Sequence, residues 1–192
     1  ANISAIPGAA ESLTHIKTLI ASSSSTLSFV DGSSDVVLDS TYPIYLFKFI
    51  NIHGSAESEL TFNMSVDSGS NYNVAKTSTF FLGEHAENGS FSSVAYQTGS
   101  DLAQGTGFKT LQRSTDFADA DQSASGTLHL FNPSSTTFVK HFISRIQSYG
   151  VARSHDSFTA GYGNTTSAVD ALQFKMSSGN IDSGQILLFG LN

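Results

Sequence analysis

Six histidines stand at positions 15, 53, 85, 129, 141 and 155, scattered among sixteen Asp and Glu residues. Imidazoles and carboxylates bind zinc, move protons and activate nucleophiles, so their spacing decides which of these chemistries is open. No two histidines have the His-Glu-x-x-His spacing that puts two zinc ligands on one face of a helix. Glu84, His85 and Glu87 are close in sequence, but adjacent residues on a strand diverge, and a solvated turn accounts for them better than a metal site. Asp116, Asp119 and Asp121 form the densest carboxylate cluster, and hard oxygen donors of this kind bind calcium when a loop curls around the ion. The glycine and terminal Glu of the EF-hand loop are missing, so a solvated acidic loop is expected and no cofactor is assigned. Asp31, Asp35 and Asp39 are less specific still.

Nucleophilic chemistry fares no better. Serine is abundant, yet no Gly-x-Ser-x-Gly elbow is present and no histidine is singled out as its base. The absence of cysteine removes thiol nucleophiles, thiolate zinc sites and disulfides. The glycines form neither a Walker sequence nor a dinucleotide fingerprint, since they fall between strands without the helix that would receive a phosphate. A carboxylate pair for glycoside hydrolysis needs separations that sequence does not specify. The chain therefore reads as a non-enzyme, with a carbohydrate-active enzyme as the least favoured alternative. Aromatic side chains could build a sugar platform, but fifteen are Phe and none is Trp, which points mainly to core packing.

Composition narrows the partners. A formal charge of -7, with nine Lys and Arg residues spread along the chain, argues against nucleic acid as a ligand. No apolar run reaches the roughly 18 residues of a membrane helix, and Ala1 to Ala10 lacks the basic and apolar regions of an export signal. Synthesis in the cytoplasm, without membrane insertion, is the expectation.

The elements that must position any site are strands. Phe62, Met64 and Val66 alternate with Thr61, Asn63, Ser65 and Asp67, the pattern of a half-buried strand. Leu172, Phe174 and Met176 alternate with Gln173 and Lys175, so the first three should face the core. This segment and Gln185 to Leu191 are predicted to form a C-terminal antiparallel hairpin, with Ile181 packed beneath the connection. Tyr45 to Ile52 is apolar at nearly every position, which suits a central strand covered on both faces. Further strands are predicted at Leu13 to Ile20, Thr26 to Val30, Thr77 to Leu82, Gly126 to Phe131, Phe138 to Gln147 and Ser157 to Tyr162. Asp31-Gly32, Asn88-Gly89 and Asn132-Pro133 supply turns between them. The result is an all-β, jelly-roll-like antiparallel β-sandwich, a single domain over residues 1–192, with a long polar loop excursion around 98–124.

Three stretches carry a resemblance. They are Ser12 to Leu19 with Leu27 to Gly32, Leu130 to Lys140, and Phe174 to Leu191 with its closing aromatic-Gly-apolar run, where the aromatic is Phe189 and Asn192 extends past the usual apolar end. Together they resemble the β-rich virion structural proteins of marine tailed phages. The resemblance implies a virion component made in the host cytoplasm, such as a capsid decoration or head-associated protein bound to the major capsid protein. The alternative is a tail or fibre module recognising a host-surface glycan. Self-association, a trimer being one form, would cover sheet edges or apolar faces. Because loops adapt to partners while sheets hold their bases, the expected contact residues are Lys109, Arg113, Asp116 and Asp119.

Overall fold

The structure is a computed structural model and describes residues 12–113 and 119–192. Its strands are β1 (Leu13–Ile20), β2 (Leu27–Val30), β3 (Ile44–Gly54), β4 (Leu60–Ser65), β5 (Lys76–Ala86), β6 (Ser92–Tyr96) and β7 (Leu102–Gly105). They continue with β8 (Lys109–Thr110), β9 (Ala124–Phe131), β10 (Lys140–Gly150), β11 (Arg153–Gly163), β12 (Ala171–Met176) and β13 (Ile181–Leu191). A nine-stranded sheet runs in the order β1-β13-β3-β9-β10-β11-β5-β6, with β7 also on β5, and a four-stranded sheet runs β2-β12-β4-β8. The paired strands are antiparallel, so the antiparallel sandwich expected from period-two alternation is what the chain forms. Nine strands against four are not the matched four-stranded sheets of a jelly roll, and only the sandwich part of that expectation is established.

The core is aromatic where the two sheets face each other. Phe174 on β12 has ring centroids of Phe47 and Phe49 at 5.3 Å and of Phe29 and Phe62 at 6.2 and 6.3 Å. Leu172, Phe174 and Met176 are all buried, as their alternation requires. The central position of β3 also holds, since it lies between β13 and β9.

Two expectations are corrected. The segments on either side of Ser178-Gly179 do not form a hairpin: β12 pairs with β2 and β4, whereas β13 pairs with β1 and β3 in the other sheet. The chain crosses between layers there, and buried Ile181 marks the crossing through its bridge to Ser24. Strand β4 is buried at every residue rather than half-buried. Its polar face is covered, and Asn63 donates through Nδ2 to the carbonyls of Tyr72 and Thr106.

The small sheet is too narrow to cover the whole inner face of the large one. The uncovered part, on β10, β11 and β5, is roofed by the chain from Lys109 to Arg113. There Gln112 Nε2 donates to Ser148 Oγ at 3.2 Å and Arg113 N to Ser157 Oγ at 3.3 Å, and Lys109 Nζ lies 4.6 Å from the Phe80 ring centroid. Polar groups in the roof need hydrogen-bonding partners below them, and the buried Ser148 and Ser157 hydroxyls supply these beside buried Phe80 and Phe142. The segment expected to be one surface loop therefore holds β7 and β8 and buries Lys109, Leu111 and Gln112.

Candidate functional site

Strand β11 inverts the usual pattern. Its inward residues are His155, Ser157 and Thr159, all buried, while Phe158 and Ala160 face outward and are exposed. An outward Phe on a strand whose inward positions are polar is a strong departure from burial by hydrophobicity. The outer face of the large sheet repeats the theme on each neighbour, because antiparallel register aligns like-facing residues into rows.

One row runs Arg145, Phe158, Phe81 and Tyr96 across β10, β11, β5 and β6. The Phe81 and Tyr96 rings meet edge to face at 5.2 Å. Arg145 lies over the Phe158 ring with its guanidinium 4.7 Å from the centroid, and Nε and Nη2 both donate to the Asp156 carboxylate. The next row is Ile143, Ala160 and Thr79, and the one beyond it His141, Tyr162 and Thr77. Ala160 is small, so this middle row is a trough between two ridges. The result is a groove of about 700 Å³ lined by Tyr96, Asp101, Leu102, His141, Ile143 and Tyr162 among others. Ile143 is 54% exposed, Phe81 and Tyr96 43% each, and Phe158 40%. At the rim Tyr96 Oη donates to Asp101 Oδ2 at 2.7 Å, and that hydrogen bond holds the phenol above its ordinary pKa.

A second, charged cleft lies at the end of the same strands. Glu84 Oε1 is 3.4 Å from both Arg153 Nη1 and His155 Nε2, and Arg113 Nη1 donates to Gln97 Oε1. His155 is buried. Glu84 and His85 do diverge, but on β5 itself and not in a turn. Among the described residues no group of three or more His, Cys, Asp or Glu could hold a metal ion. The Asp31 and Asp39 carboxylates build turns instead, accepting the backbone N–H of Leu38 and of Thr41.

The four residues expected to contact a partner do not form one surface. Lys109 is fully buried, with Nζ donating to Ser100 O and lying 4.6 Å from the Phe80 ring centroid, so a direct contact role for it is corrected. Its strand, Lys109–Thr110, is too short for alternation to mark an inward face. Arg113 is half-buried against Gln97, and Asp119 is exposed and caps a turn with Gln122. Asp116 lies outside the described residues.

The outer ridge is not among the sequence expectations, because the aromatic content is read there mainly as core packing. The signal was present in Ser157-Phe158-Thr159-Ala160, where period two leaves open which set faces inward. No helix among the described residues is long and apolar enough to cross a membrane. Comparison with protein families, curated proteins and solved structures finds no match for this chain.

Proposed function

We propose that the chain is a non-enzymatic structural component of a virus particle, head-associated, which seats the outer face of its large sheet on a repeated surface of the major capsid protein. The observation that carries this reading is the inversion of β11, which leaves Phe158 in an exposed row with Phe81 and Tyr96. Contiguous exposed aromatics with an Arg stacked on them have the composition of interface anchors. The resemblance of both ends of the chain to phage virion proteins supplies the setting.

Particle incorporation tests the proposal. A tagged chain is expected to co-sediment with particles in a copy number tracking the major capsid protein, and a folded Phe81→Ser/Phe158→Ser variant is expected to be lost from them. Wild-type incorporation of the folded double variant would overturn the reading. Self-association through the sheet edges, as a trimer, would show as a mass change in light scattering that the double variant retains.

A second reading rests on the groove itself. Aromatic rings beside a carboxylate, as Tyr96, Tyr162 and Asp101 provide, are what a tail or fibre module needs to hold a host glycan. Glycan binding without turnover, lost in Tyr162→Ala while incorporation is retained, would favour it.

A further inference from the structure

Three of the six lysines, Lys76, Lys109 and Lys140, are fully buried. Lys109 and Lys140 donate to backbone carbonyls, of Ser100 and of Phe138 and Thr165 respectively. Lys76 differs, because its Nζ lies 2.5 Å from the side-chain Oδ1 of Asn63 and 2.7 Å from Val74 O. Asn63 is itself fully buried. A primary amine enclosed against a carboxamide is a pair of groups that aminolysis can join, and enclosure replaces a bimolecular encounter by an intramolecular one.

The surroundings suit that reaction. Asn63 Oδ1 also accepts the Met64 backbone N–H at 2.9 Å, a donor placed where negative charge grows as Cγ becomes tetrahedral. Asn63 Nδ2 is held by the carbonyls of Tyr72 at 2.5 Å and Thr106 at 3.0 Å, acceptors that favour the nitrogen as it gains a proton and departs. Burial pushes the Lys76 amine down to about 8, so a useful fraction is neutral and nucleophilic near neutral pH. Forming an amide would also remove a buried cation that has no carboxylate among its hydrogen-bond partners.

We infer that Lys76 and Asn63 become joined by an intramolecular isopeptide bond that ties β4 to the start of β5. Lys76 Nζ bonds to Asn63 Cγ, the Cγ–Nδ2 bond breaks, and one Nζ proton passes to Nδ2, which leaves as ammonia. No oxidant or second reactant is consumed. The proton moves between two nitrogens held on one carbon, without a carboxylate among the partners of either to relay it, so completion is slow relative to folding.

The test is intact-mass spectrometry of the denatured full chain after incubation at mildly alkaline pH. The expected mass is about 17 Da below that of the sequence, the loss of one ammonia. Trypsin should fail to cut after Lys76, giving one peptide over residues 49–109 in place of 49–76 and 77–109; fragmentation should place the link between the two side chains. A succinimide at Asn88-Gly89 would lose the same mass, but Lys76→Met would leave that loss in place, whereas an isopeptide bond requires Lys76. Lys109→Met is expected to keep the loss. A chain at full sequence mass, a loss that persists in Lys76→Met, or cleavage after Lys76 in the unaltered protein would each overturn the inference. The peptide map of the unaltered chain decides the matter even if Lys76→Met does not fold.

Discussion

The Arg145 guanidinium is stacked on Phe158, its pairing neighbour on β11, and is pinned there by Asp156, with Nη2 2.7 Å from Oδ2. Arg145 is 66% exposed along its side chain and Asp156 27%, so the ion pair adds little to folding. Its effect is to hold a planar cation over an exposed ring in one orientation. Arg145→Ala is accordingly expected to change stability by less than about 1 kcal/mol and, on the proposed function, to weaken particle binding by about tenfold or more. Urea denaturation and a binding titration on one preparation check both; a stability loss matching the binding loss would remove the interface role.

The buried Lys109 makes stability depend on pH. Burial pushes its amine down to about 7 from an ordinary value of 10.5, against the opposing charges of Asp101 and Glu59. Between those values the unfolded chain holds a proton that the folded chain has released, so stability rises with pH across that window and is lowest below it. The Lys109 share is on the order of a few kcal/mol. Lys109→Met should raise stability at slightly acid pH and flatten the rise. Urea midpoints on either side of neutrality measure this, and an unchanged slope would contradict it.

Phe174 is the ring on which the two sheets meet, since Phe29, Phe47, Phe49 and Phe62 all pack around it. Removing it leaves a cavity that four rigid rings cannot fill by small shifts. Phe174→Ala is expected to cost about 3–5 kcal/mol, read from thermal or chemical denaturation. Phe158→Ala, an equal loss of atoms from the outer face, should cost far less.

Gly190 has no side chain because Tyr42 occupies the space. A Cβ there would meet the Tyr42 ring at 2.3 Å, and Tyr42 in turn packs edge to face on buried Tyr45 at 5.8 Å. Gly190→Ala is expected to destabilise by about 1–3 kcal/mol through displacement of that ring. A Tyr42→Ala/Gly190→Ala double variant should recover part of the loss relative to the sum of the single ones, as a double-mutant cycle would show.

Period-two alternation settled more than the strand list. It also places Leu172, Phe174 and Met176 in the core, where they lie, because alternating side chains on a pleated strand must face opposite ways. Turn chemistry was equally local: Gly32 and Gly89 adopt positive φ of 72° each, which glycine takes without strain. What alternation cannot do is say which face is inside when both carry plausible residues. Ser157 and Phe158 are sorted only by the roof that Lys109 to Arg113 lays over the inner face, a contact between segments more than 40 residues apart by number. The same holds for Lys109, whose charge marks it for solvent until tertiary packing encloses it.

Sequence by itself determined an all-β chain, an aromatic core and the inward face of β12, since these follow from residue type and from spacing within a few positions. Tertiary structure alone decided that β12 and β13 belong to different sheets, that four strands leave part of a nine-stranded face uncovered, and that Lys76 meets Asn63. Strand pairing and sheet coverage depend on how distant segments compete for one another's backbone and apolar surface, and that competition is resolved only when the whole chain packs.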